Sequence, residues 1–170
     1  MVFSGKQMAQ YIKPFAQVCM KVFRQFMGIE LTAKRPYLFD GNEVNCWDIF
    51  ALIGFAGDVR GGVLISVKKE TAFKLTNILT GTMHKEIDAD VIDAIGEIVN
   101  IIAGNVKSRD GFENTLNLKI SMPLVVKGEG HSISWLIGST RIFCVPFKIF
   151  ENEEIMLSIS LEKKEKKHDE

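Results

Sequence analysis

Asp90-Val91-Ile92-Asp93-Ala94-Ile95-Gly96-Glu97-Ile98-Val99-Asn100-Ile101-Ile102-Ala103-Gly104-Asn105-Val106-Lys107 is the stretch on which the reading of this chain turns. At about 100° per residue, Val91, Ile92, Ile95, Ile98, Val99, Ile102 and Val106 fill one broad apolar face, which predicts a long amphipathic helix laid on a sheet. Asp88 is a good N-cap, and Asp90 places negative charge in the first turn, where the helix dipole favours it. Lys107 and Arg109 suit the other end, with Gly111 as a stop. Asp90, Asp93, Glu97, Asn100, Gly104 and Lys107 line up as one narrow polar stripe opposite the apolar face. Glu97 and Asn100 are neighbours across one turn and can reach the same point.

A stripe of this kind is usually a solvated face. Three details argue otherwise. Asn is a poor mid-helix residue, because its amide competes with the backbone. Gly96 and Gly104 each cost about 1 kcal/mol against Ala in a helix interior. Ile101 borders the stripe, where a purely solvated face would carry Lys or Glu. Together they predict a surface kept low so that another molecule can approach Glu97 and Asn100, with Ile101 and Gly104 in the contact.

Upstream, residues 4–27 read as a second long amphipathic helix through Met8, Ile12, Phe15, Val18, Val22 and Phe26, closed by Gly28. Pro14 falls inside it and predicts a kink or a later start near Lys13. Ile29 to Phe39 is rich in β-formers, with Pro36 marking an edge or bulge. Ile49 to Phe55 and Val63 to Val67 read as strands joined by turn chemistry across Ala56 to Gly62. Glu70 to Thr80 reads as a short helix closed by Gly81. Downstream come strands at Leu116 to Val126, Ser132 to Ile137, Ile142 to Phe150 and Ile155 to Leu161, then a charged tail from Glu162 to Glu170 expected to be disordered. Gly62-Val63-Leu64-Ile65-Ser66-Val67 echoes the run that starts at Ile155. The two halves share one layout: a long helix, strands, a hairpin. The fold expected is a single α/β (α+β) domain over residues 1–161, with a pseudo-twofold repeat and long helices packed on a mainly antiparallel sheet.

Composition narrows the chemistry. The 170 residues suit one domain, 46% are hydrophobic, and 21 basic residues balance 21 acidic ones, so nothing points to nucleic acid. Apolar runs such as Ile49 to Ala56 are too short to span a bilayer. Lys6, Gln7, Gln10 and Lys13 interrupt any secretory h-region, and the expected location is cytoplasmic. Cys19, Cys46 and Cys144 lie far apart and form no CxxC; Cys19 and Cys144 sit in apolar stretches and read as packed thiols. His84, His131 and His168 are scattered, which argues against a metal centre. No P-loop, GxGxxG or GxSxG occurs. Any chemistry uses few residues or borrows groups from a partner.

Asp93, Glu97 and Asn100 fit the Asp/Ser-x3-Glu-x2-Asn signature of the CheC, CheX and FliY phosphatases, and the continuation Asn100 to Lys107 resembles CheX-type sequences. Ser121-Met122-Pro123-Leu124-Val125-Val126-Lys127-Gly128 resembles the Pro-containing strand that follows in that family, and Ile12-Lys13-Pro14-Phe15 resembles its opening helix. The likeness covers nearly all of residues 4–161. CheC and FliY carry two motifs; here no Glu precedes Glu30 and no Asn precedes Asn42, so the first long helix holds no copy, which is the CheX arrangement. The flagellar switch scaffolds share the architecture but lack the Glu and Asn pair.

The resemblance implies a phosphatase acting on the phospho-aspartate of a CheY-like response regulator. Such a receiver already holds Mg²⁺ and a lysine beside its phosphoryl group, so this chain need bind no metal of its own. In that family reading Asn100 positions the attacking water, Glu97 docks onto the partner lysine, and Asp93 is a secondary docking residue or a helix-surface charge. The resemblance also implies a homodimer formed through the sheets. Two other readings stand beside it. One is a non-enzymatic adaptor that binds a receiver or a flagellar switch component through the same helix. The other is an unrelated α/β binding module in which the motif is coincidence.

Overall fold

The structure is a computed structural model and describes residues 5–39, 43–108, 117–134 and 141–163. Its order is α1 (Gly5–Met27), β1 (Thr32–Ala33), β2 (Tyr37–Phe39), β3 (Glu43–Asn45), β4 (Ile49–Gly57), β5 (Val59–Val67), α2 (Lys69–Thr80), α3 (Ala89–Lys107), β6 (Leu118–Ile120), β7 (Leu124–Lys127), β8 (Ser132–Ser134), β9 (Ile142–Ile149) and β10 (Glu153–Lys163).

The long apolar strands β4, β5, β9 and β10 carry buried residues on both faces, as strands covered from both sides must. They form the centre of one antiparallel sheet in the order β1-β9-β10-β5-β4-β6, with β2 also on β9 and β7 also on β4. The three helices cover one face. Phe15, Val22 and Phe23 of α1 and Val91, Ile95, Ile98, Val99 and Ile102 of α3 pack there against Ile53, Val63, Ile65, Phe147, Leu157 and Ile159. The other face holds a smaller cluster of Cys46, Phe50, Leu64, Ile142 and Cys144, with Ile133 from the two-stranded β3-β8 ribbon against it.

A pseudo-dyad runs through the seam between β5 and β10. Ile49↔Val67 in the first hairpin corresponds to Ile142↔Ser160 in the second. The same correspondence takes Gly62 to Ile155, and the seam pairs Ser160↔Gly62 and Ile155↔Val67. This is the alignment of the sequence echo. The edges obey it too: β1 and β2 follow α1 and pair with β9, while β6 and β7 follow α3 and pair with β4. Each edge breaks at a proline, Pro36 in one and Pro123 in the other.

Several boundaries differ from expectation. α1 runs unbroken from Gly5 through Pro14, with no late start at Lys13. It ends in a Schellman turn: Gly28 takes a positive φ, and the N–H groups of Gly28 and Ile29 donate to the carbonyls of Arg24 and Phe23. The turn between β4 and β5 is confined to Asp58 and its neighbours. Gly61 belongs to β5, where a Cβ would collide with the carbonyl of Ser160 across the seam. The described part of the strand expected over Leu116 to Val126 is two strands, β6 and β7: they part at Pro123, and just before it Ser121 Oγ, in place of a backbone carbonyl, accepts from the N–H of Gly54 at 2.9 Å. β10 runs past Leu161 to Lys163, and Glu162 pairs with Arg60 at 2.7 Å, so the domain extends beyond the expected boundary. Ser4, Arg109, Gly111, Leu116, the 135–137 part of the expected strand and residues 164–170 of the expected tail lie outside the described residues.

All three cysteines are buried and none is in a disulfide; burial raises the Cys19 thiol well above its usual range, and burial with Cys144 nearby pushes Cys46 up to about 11. They are packed groups rather than nucleophiles. Among the described residues no helix is long and apolar enough to cross a membrane.

Candidate functional site

α3 is set by its cap and its buried face. Asp88 Oδ1 accepts from Val91 N–H at 3.0 Å, and Asp88 Oδ2 meets Nδ1 of His84 at 2.7 Å. The bond to His84, then that to Val91, hold the Asp88 carboxyl below the usual range. From this anchored end the helix crosses β4 and β5, with α1 and α2 packed on either side of it. Val91, Ile95, Ile98, Val99, Ile102 and Val106 are buried as the periodicity requires, while Ile92 is half-buried.

The stripe faces outward. Asp90, Asp93, Glu97 and Lys107 are exposed, and Asn100 and Gly104 are half-buried. Among the described residues Asp93, Glu97 and Asn100 make no hydrogen bond or ion pair. A carboxylate and an amide one turn apart thus sit at the surface with their polar atoms unused by the fold. Ile101 is half-buried and leans on the main core, so only part of its side chain is available to a partner.

The two glycines of α3 have different reasons. At Gly104 nothing lies within 4 Å of where a Cβ would stand, so the position is open to an approaching surface. Gly96 is buried, and a Cβ there would lie 3.1 Å from Cγ2 of Val125 and 3.9 Å from Cγ of Pro123. The expectation that Gly96 lowers the surface for a partner is corrected: its missing side chain lets β7 and the Pro123 corner lie against the helix. The result is a groove of about 460 Å³ bordered by Ile92, Asp93, Gly96, Glu97, Pro123 and Val125.

His84, read from sequence as one of three scattered histidines, is brought together with Asp88 and Asp90, with ligand atoms all within 4.8 Å of one another. A cation there would face the N-terminus of α3, whose unpaired N–H groups disfavour positive charge. Asp88 is also already engaged as the helix cap. The cluster reads as an N-cap network, which sequence spacing missed because His84 precedes the helix. Glu97 and Asn100 supply one carboxylate and one amide, too few to cage Mg²⁺. Among the described side chains, the exposed face of α1 carries Lys13, Lys21, Arg24, Gln25 and Phe26, the last expected on the apolar face, and no carboxylate and amide pair.

Comparison with known proteins bears on the family and the fold. Residues 49–148 match the family model described as chemotaxis phosphatase CheX. The chain is 27% identical over 143 residues to the CheY-P phosphatase CheX of Thermotoga maritima, covering 83% of this chain and 88% of that protein. The crystal structure of a chemotaxis protein CheX from Desulfovibrio desulfuricans superposes with a TM-score of 0.79 at 26% identity, covering 90% of this chain and 99% of that one. A CheX from Borrelia burgdorferi, solved as a complex with CheY, BeF3 and Mg²⁺, has the same fold, with a TM-score of 0.75 at 23% identity over 90% of this chain and 98% of that one.

Proposed function

The chain belongs to the chemotaxis phosphatase CheX family, and from that premise we propose that it hydrolyses the phospho-aspartate of a CheY-like receiver with Asn100 and Glu97. The observation that carries the assignment is the unpartnered pair itself, held one turn apart on the open stripe of α3. An adaptor need not retain both groups.

Phosphoryl transfer is governed by positioning and charge stabilisation. The receiver brings Mg²⁺ and a lysine with its phosphoryl group, so the charge is met by the substrate protein. Asn100 can hold a water through its carbonyl oxygen or NH₂, in line with the phosphorus and opposite the aspartyl oxygen. Water oxygen bonds to phosphorus as the phosphorus–aspartyl oxygen bond breaks. The carboxylate leaves with that electron pair, and the water's proton ends on the released phosphate. Glu97 pairs with the receiver's lysine and fixes the helix at the right height. Partner, residue roles and the receiver's metal all belong to this proposal.

The test is direct. Candidate receivers are phosphorylated with a small phosphodonor, and loss of the phosphoryl group is followed with and without this protein. Acceleration is expected for at least one receiver; none for any would overturn the assignment. Glu97→Ala is expected to weaken receiver binding about tenfold and to lower the rate, since a charge pair closed off from water is worth more than an exposed one. Unchanged binding and rate in that variant would remove Glu97 from the mechanism.

We also propose a homodimer formed through a sheet edge. The edge strands beyond β9 and β4 leave backbone groups open to pairing, and Tyr37 and Leu38 on β2 are exposed. Sedimentation at micromolar concentration is expected to give a dimer; a monomer would refute the dimer and leave the phosphatase assignment standing.

A further inference from the structure

The groove beside Glu97 has two kinds of wall. Ile92, Pro123 and Val125 give it apolar sides, and the carboxylates of Asp93 and Glu97 stand on one rim. Asp90 adds a further exposed carboxylate one turn along the stripe. The nearby cation, Lys127, is committed to the carbonyl oxygen of Ile87 at 2.8 Å. An apolar trough edged by unneutralised carboxylates matches one kind of side chain: a long aliphatic stem ending in a cation.

Glu97 alone suffices for the lysine beside the phosphoryl group. Asp93, one turn nearer the N-terminus and bordering the same groove, has no task in that chemistry and no partner among the described residues. We infer that the Asp93 groove is a second docking subsite, which receives a lysine or arginine of the receiver's surface distinct from its active-site lysine. The stem lies along Pro123, Val125 and Ile92, and the cation meets Asp93. This rests on the proposed function and adds what selects among receivers: a basic residue at the matching place on their surface. Gly96 is what makes the subsite possible, because it seats the Pro123 corner close against the helix.

Asp93 is a positioning residue, and its variants separate docking from chemistry. Asp93 is exposed and unpaired, so Asp93→Asn and Asp93→Lys are expected to fold with unchanged melting temperatures. With a receiver that the wild type dephosphorylates, Asp93→Asn is expected to raise KM about threefold and Asp93→Lys about tenfold at low salt, with kcat within about twofold of wild type. The gap from wild type should shrink as ionic strength rises, because the interaction is between charges at a rim. A KM for Asp93→Lys equal to wild type, or a fall in kcat alone, overturns the subsite while leaving the proposed function intact. A change of oligomeric state in Asp93→Lys by sedimentation also overturns it, since the groove would then face a second copy of this chain. A wild-type protein that neither binds nor dephosphorylates any receiver overturns the proposed function and the subsite with it.

Discussion

Asn100→Ala is expected to reduce the rate of receiver dephosphorylation about a hundredfold, the scale of losing a positioned reactant, with receiver affinity unchanged and the melting temperature unchanged or slightly raised, since Ala is the better mid-helix residue. The amide is half-buried on the open stripe and bonds to nothing within the described fold, so its removal leaves no orphaned partner. Its whole contribution is then to the water. Because the receiver supplies the metal and the lysine, the loss should fall on kcat and spare KM, the opposite of Asp93→Lys. Asn100→Asp keeps the shape but loses the NH₂ donor and adds a negative charge facing a phosphoryl group; it should be as slow as alanine or slower. Stopped-flow measurement of receiver dephosphorylation reads both variants. An Asn100→Ala protein with wild-type kcat would show that the water is held elsewhere.

The second large effect is expected at Gly104. Nothing lies within 4 Å of its Cβ position, so Gly104→Leu has room on the free protein. The gain in helix propensity is about 1 kcal/mol, or a rise in melting temperature of about 2–4 °C for a chain of this size. In the complex, the same side chain would hold the receiver away from Asn100, one turn earlier on the stripe. Activity is expected to fall at least ~10-fold, since small misplacements of reacting groups are costly, and Gly104→Ala should lie between. A variant both more stable and less active is a signature that a simple structural defect cannot produce. Wild-type activity in Gly104→Leu would mean that the receiver does not approach along this helix. Loss of the fold would mean that Gly104 is packed against the body of the protein.

Much of this was legible in the sequence because it is written in local order. The buried face of α3, its Asp88 cap, the Gly28 ending of α1 and the apolar runs of β4, β5, β9 and β10 are each carried by residues a few positions apart. The echo of Gly62 with Ile155 also gave the dyad its correct phase. What could not be read depends on partners far along the chain. Gly96 looked like Gly104 because both interrupt a helix; only the placement of Pro123 and Val125 shows that one is filled and the other open. The bond from the Gly54 N–H to Ser121 Oγ beside the break joins residues 67 positions apart. Glu162 looked like the start of a solvated tail until β10 set it opposite Arg60. The pair Glu97 and Asn100 was found from spacing, but that neither is used by the fold is a fact of three dimensions.

The exchange of edges across the dyad bears on how the protein comes to exist. Helix α3 belongs to the second half of the chain but lies across the hairpin of the first, and the edge strands that follow each long helix close the other half's hairpin. The halves are interlocked, and neither has a complete sheet of its own. Their seam, β5 against β10, closes only when the last described strand is in place. Such topology makes folding slow and all-or-none, because distant segments must meet before any contact is rewarded. A nascent chain that has already exposed α3 therefore carries the Glu97 and Asn100 motif without a platform beneath it, and competence arrives late, with the final strand.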